Sequence, residues 1–191
     1  MATFLFVGLD ANYDADIERL AIFPKIVEYH KDAVSFWEKH GVHHPFLLPG
    51  YNGDGMPYHR SFARIGFGPE HANLVSFVEL LHVPTSGTSS LRSSDLDAKH
   101  LAMLHTAMLG GAAKHIFISP KVAQLMRKTA AFVWLFSASG DASGPLRVLC
   151  RQGNNTVYSH YHLSAYGKFQ KQKDSEAVAI RKLLMDVNKR N

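Results

Sequence analysis

Thr3-Phe4-Leu5-Phe6-Val7-Gly8 is a continuous apolar run closed by glycine, which is how a strand buried on both faces of a parallel sheet reads in sequence. Runs of the same kind recur. Leu74-Val75-Ser76-Phe77-Val78-Glu79-Leu80-Leu81 predicts a second buried strand and His115-Ile116-Phe117-Ile118-Ser119 a third, while residues 132–136, 146–150 and 156–161 carry further strand-like stretches. Between them lie segments of helical spacing. Residues 16–40 place Ile17, Leu20, Ile26, Val27, Val34 and Trp37 at helical intervals, with Pro24 expected to divide them into two helices.

Residues 95–109 predict a helix capped by Ser93 or Ser94 and stopped by Gly110-Gly111, and Pro120 opens another through residue 128. A closing helix begins at Asp174-Ser175, with Ile180, Leu183, Leu184 and Val187 on one face. Residues 47–68 hold so many glycines and prolines that they read as a long structured loop, and long loops in small domains usually carry function. Strands separated by helical segments predict one α/β domain over residues 1–191: an open, mostly parallel sheet of four or more strands with helices on both faces, in three α/β/α layers.

Composition narrows the chemistry. The 191 residues are 46% hydrophobic and 19% charged, as in ordinary globular chains. No apolar run is long enough to cross a bilayer and the first residues lack a basic signal-peptide start, so a cytoplasmic chain without a membrane partner is expected. The single cysteine, Cys150, excludes an internal disulfide framework, a four-cysteine zinc site and a cysteine-held iron–sulfur cluster. Net charge is +5, with a pI near 9.3. From Lys168 to the C-terminus seven basic residues face three acidic ones, so four of the five positive charges sit in the tail. That asymmetry leans toward polyanions, although a solvated helix face explains residues 181–190 as well.

In open α/β sheets the binding crevice lies beyond the carboxyl ends of the strands. The rule selects Gly8, Leu9, Asp10, Asn12, Tyr13 and Asp14 after the first strand, His82 and Pro84 after the second, and His162 and Ser164 after the last. A carboxylate, a tyrosine and a histidine are thereby expected to share a pocket. Asp and Asn are also ordinary turn formers at such positions.

Gly8-Leu9-Asp10-Ala11-Asn12-Tyr13 resembles the first motif of the uracil-DNA glycosylase superfamily, Gly-Gln-Asp-Pro-Tyr in its most efficient branch. His162-Leu163-Ser164 resembles the last motif, His-Pro-Ser, and Phe77-Val78-Glu79-Leu80-Leu81-His82-Val83-Pro84-Thr85 is similar to a strand-and-loop segment of the mismatch-specific branch. The likeness spans residues 3–170 but rests on these short motifs. Departures accompany it. One residue is inserted before Tyr13, the motif prolines are replaced by Ala11-Asn12 and Leu163, and Glu79 stands where relatives carry Asn or Asp. Asn12 and Asp14 therefore rival Asp10.

The resemblance implies a monofunctional glycosylase, without cofactor or metal, that hydrolyses the N-glycosidic bond of uracil flipped out of single- or double-stranded DNA. Asp10 and His162 would be catalytic, Asp10 orienting water and stabilising the sugar cation, His162 donating to uracil O2. Gly8, Leu9, Asn12, Tyr13, Tyr58 and Glu79 would bind the base, Tyr58 as stacking platform and Tyr13 as the wall excluding thymine. Ser164, Tyr166 and Lys168 would meet DNA, with Tyr166 as the wedge. A monomer associated with the nucleoid through DNA is the expected state. Two other classes stay open: a non-catalytic nucleic-acid or nucleotide-binding module on the same fold, and a metal hydrolase built on the twelve histidines, with His160 and His162 on one strand face and His40, His43 and His44 clustered elsewhere.

Overall fold

The computed structural model describes residues 2–86, 91–136, 141 and 143–189. Residues 87–90 of the Ser/Thr-rich stretch, and Arg190 of the basic tail, lie outside them. The chain forms two compact units that interleave along the sequence. The first takes residues 1–11 and 74–161, the second residues 12–73 and 162–191.

The first unit holds an open five-stranded sheet in the order β3-β1-β5-β7-β6. Its strands are β1 (Phe4–Gly8), β3 (Val75–Glu79), β5 (His115–Ile118), β6 (Arg147–Gln152) and β7 (Asn155–Ser159). The two-residue strands β2 (Asn12–Tyr13) and β4 (Thr85–Ser86) lie outside this sheet. Strands β3, β1, β5 and β7 run parallel and β6 is antiparallel to β7. The α/β class expected from sequence, with its open, mostly parallel sheet, is the one observed.

Register explains the unbroken apolar runs. Leu5 pairs with Ile116 and Val7 with Ile118, and this face buries against Leu101, Leu104 and Met108 of α4 (Ala98–Gly110) and Val122 and Leu125 of α5 (Pro120–Met126). On the opposite face Phe77, Phe6, Phe117 and Tyr158 align across four strands, with successive ring centroids 5.7, 4.7 and 5.3 Å apart. Phe6 and Phe117 are sealed as completely as Ile116 on the other side. An inner strand buried on both faces cannot alternate apolar with polar residues, and removing one such phenylalanine costs about 3–5 kcal/mol.

The second unit carries α1 (Phe23–Lys31), α2 (Ala33–His40), α3 (Met56–Ala63) and α6 (Gln170–Asn188). Several expectations need correction here. Pro24 does not divide residues 16–40, because it occupies the first turn of α1, where its missing N–H is harmless. The break falls at Asp32, whose carboxylate accepts from Val34 and Ser35 N–H at 3.1 and 3.0 Å and caps α2. Residues 47–68 are not wholly loop. Gly55, at φ +81°, opens α3 and Pro57 sits in its first turn, so the turn formers mark a helix start and Tyr58 is helical.

Elsewhere α4 is capped by Asp97, accepting from His100 N–H at 2.7 Å, and Ser93 and Ser94 belong to a preceding 3-10 turn. Residues 132–136 are part of a 3-10 segment, Ala130–Phe136, not a strand. The closing helix starts at Gln170, with Asp174 and Ser175 inside it, and it buries Ile180 and Leu184 as expected. Ser119 and Pro120 open α5 as expected, Ser119 Oγ accepting from Val122 N–H at 3.4 Å. Among the described residues, no helix is long and apolar enough to cross a membrane.

Candidate active site

The carboxyl ends of β1 and β3 bring two acidic side chains together. Gly8 pairs in register with Glu79. The ladder continues beyond both strands, Leu80 N–H donating to Gly8 C=O and Leu81 N–H to Leu9 C=O, each at 3.0 Å. Asp10 and Glu79 thus leave neighbouring strands at the same end. The Glu79 carboxyl occupies the space that a side chain at Gly8 would take, its Cδ 2.7 Å from where a Cβ would stand. A side chain at position 8 would have to displace that carboxyl.

Asp10 is fixed from a second side: Thr85 Oγ1 donates to its Oδ2. Glu79 is the more enclosed of the pair. Its Oε2 is sealed from solvent and has no hydrogen-bond partner. Burial, reinforced by the neighbouring Asp10 charge, pushes its carboxyl up to about 8 from an ordinary 4.5, so it is mostly protonated at pH 7. His100 Nε2 donates to the Glu79 backbone carbonyl at 2.8 Å, and the His82 ring lies 6.1 Å from that of His100. Leu9 packs against the sheet's apolar core.

The remaining predicted residues belong to the second unit. Asn12 has a buried, unpartnered Oδ1. Asp14 closes a turn, its Oδ1 accepting from Asp16 N–H at 2.8 Å. Tyr13 bonds through its hydroxyl to His30 Nε2 at 2.7 Å, and its ring meets Phe46 edge-on at 5.9 Å. Tyr58 and His162 come together, ring centroids 5.5 Å apart. Ser164 N–H donates to His162 Nδ1 at 3.3 Å, which leaves the proton of the neutral ring on Nε2. Tyr166 is 84% exposed and the Lys168 ammonium lies over the Phe169 ring.

Sequence reasoning missed Lys173 of α6, for which no motif gives a signal. It is buried, and its Nζ donates to the carbonyls of Leu163 and Ala165 at 2.6 Å each and to Ser61 Oγ at 3.0 Å. The ammonium thereby holds the loop between His162 and Tyr166. The same unit encloses His43, His44 and His59. His43 Nε2 and His59 Nδ1 are 3.1 Å apart, and His44 stacks on His59 with centroids 3.6 Å apart. Burial holds all three well below the ordinary histidine value, His59 at about 3.

The histidine-based metal expectation finds no donor set. β7 ends at Ser159, so His160 and His162 do not share a strand face; His160 is buried edge-on against Phe6 and Phe117. His40 bonds to Glu28 instead of joining His43 and His44. No group of three or more His, Cys, Asp or Glu side chains able to hold a metal ion occurs among the described residues. No family model matches the chain, and no curated protein matches it either.

Proposed function

We propose that the chain is a monofunctional DNA glycosylase that hydrolyses the N-glycosidic bond of flipped-out uracil and leaves an abasic site. One observation carries it: Asp10 and Glu79, two carboxyl groups at the carboxyl ends of adjacent parallel strands, of which Glu79 is enclosed and pushed up to about 8. A carboxyl kept protonated next to a second carboxyl supports divided roles for the two. Glycosidic cleavage needs that division, because positive charge grows on the sugar while negative charge leaves with the base.

Asp10, steadied by Thr85, takes the sugar side. Its carboxylate orients the water and stabilises the cationic sugar. The water oxygen bonds to C1′ as the C1′–N1 bond breaks, its proton passes to Asp10, and the bonding pair leaves with uracil. A carboxylate handles the step, so no imine forms with the abasic sugar. The proposed roles of His162, Tyr13, Tyr58, Ser164, Tyr166 and Lys168 rest on the motif resemblance, supported for Tyr166 by its exposure and for DNA as partner by the basic tail.

The test is release of free base from uracil-containing single- and double-stranded oligonucleotides, with a chelator present. Uracil release is the expected result. DNA binding without release replaces the proposal with a binding module, and release that the chelator abolishes replaces it with a metal hydrolase.

A further inference from the structure

A buried ammonium is costly unless its protons find acceptors, and the acceptors it holds are fixed in return. Lys173 of α6 meets three oxygens from two elements: the carbonyls of Leu163 and Ala165, at 2.6 Å each, and Ser61 Oγ on α3, at 3.0 Å. Across a trans peptide the C=O and the following N–H point opposite ways. With the Leu163 carbonyl drawn to Lys173, the Ser164 N–H is turned the other way, where it donates to His162 Nδ1 at 3.3 Å. Ala165 N–H closes the turn on the His162 carbonyl at 2.8 Å. On α3, Ser61 stands one helical turn after Tyr58 and shares its face, and the Tyr58 ring lies 5.5 Å from that of His162. One ammonium therefore grips both the turn that begins at His162 and the helix face that carries Tyr58.

We propose that Lys173 is a positioning residue: by holding the Leu163 carbonyl it turns the Ser164 N–H onto His162 Nδ1, and by holding Ser61 it sets the spacing of His162 from Tyr58. Lys173 acts through these two side chains and touches no substrate itself. Its consequence for uracil release rests on the glycosylase reading above; its effect on His162 does not.

A second cation of the same helix provides the control. Arg181 donates from Nε to the Ile65 carbonyl at 2.8 Å and from Nη2 to the Arg64 carbonyl at 2.9 Å, tying α6 to the end of α3 instead of to the His162 turn. Loss of stability alone would follow from removing either cation. Displacement of His162 should follow only from removing Lys173.

The experiment follows the His162 ring nitrogens and the Ser164 amide by NMR, together with single-turnover uracil release, for the parent, Lys173→Met, Ser61→Ala and Arg181→Met, each well below its unfolding transition. In Lys173→Met the Ser164 amide should exchange about tenfold faster or more, and the form of His162 protonated on Nδ1 should appear. Release should slow by about tenfold to a hundredfold, as for a group misplaced by about 1 Å, with oligonucleotide affinity kept within about threefold. Ser61→Ala leaves the ammonium on the turn, so the Ser164 amide stays protected while the nuclear Overhauser contact between the Tyr58 and His162 rings weakens. Arg181→Met should match the parent in every signal. Unmoved His162 and Ser164 signals in Lys173→Met, or the same changes in Arg181→Met, overturn the proposal. If Lys173→Met does not fold, an unchanged Tyr58–His162 contact in Ser61→Ala overturns it. A parent that releases no uracil overturns the glycosylase reading, and the NMR signals still decide the role of Lys173.

Discussion

Burial acts on Glu79 in the sheet unit and on His43, His44 and His59 in the helical unit, and the proton outcomes are opposite. Glu79 is held protonated; the three histidines are held bare. Low polarity disfavours charge of either sign, so an acid keeps its proton and a base loses it. The pH dependence follows with opposite slopes. Glu79 binds its proton more tightly when folded, so its contribution to stability declines as pH rises from about 4.5 to about 8. The histidines bind protons more weakly when folded, so their contribution is complete above about 6.5 and is lost as pH falls below it, for His59 down to about 3. Below 6.5 three groups outweigh one, and above it Glu79 acts alone. Among these four groups, stability is greatest near pH 6.5.

The largest expected effect lies on the carboxyl side. Asp10→Asn should slow single-turnover uracil release by roughly two to four orders of magnitude while DNA affinity is kept, the loss expected of one positioned catalytic group. A near-parental rate would hand the water to Asn12 or Asp14. Gly8→Ala attacks the same pair through its seat. The added Cβ meets the Glu79 carboxyl and displaces it from its enclosed position, so its pKa, followed by NMR titration, should fall by about one unit or more. An unmoved pKa would show that the position over Gly8 does not set the proton.

Lys173 sharpens the comparison, being a buried base that satisfies all three ammonium protons with oxygen acceptors. Lys173→Met leaves the Leu163 and Ala165 carbonyls without that donor and should cost about 2–3 kcal/mol in denaturant unfolding. A loss below about 0.5 kcal/mol would mean the loop holds itself. The smallest change is His59→Phe, which preserves a ring against His44 but removes one titrating group. Stability against pH between 4 and 6.5 should lose about one proton's worth of slope, about 1.4 kcal/mol per pH unit. An unchanged slope would mean that His59 does not contribute to acid sensitivity.

What could be read in advance depended on range. Strands β1, β3 and β5 were legible because an inner parallel strand leaves an unbroken apolar run; the strand-end rule pointed to Asp10, whereas Glu79 entered only through the motif resemblance. The start of α3 was misread because Gly55 and Pro57 signal a turn as readily as a helix N-terminus. Residues 132–136 were misread because a short apolar run has no decisive period. Glu79 as an acid was out of reach, since its protonation depends on what seals Oε2. The stacking of His44 on His59 likewise joins residues with no shared pattern.

The interleaved course of the chain has a consequence for how the protein is made. β1 is synthesised before its two sheet neighbours, β3 and β5, which are not complete until Glu79 and Ile118 have followed. A strand of Phe4, Leu5, Phe6 and Val7 must therefore wait with its edges unpaired, in a topology that folds slowly and exposes sticky surface while it does so. Synthesis that stalls before Ile118 should yield nascent chains that chaperones hold and proteases clear. Cutting the coding sequence at any single point divides one unit or both between the products.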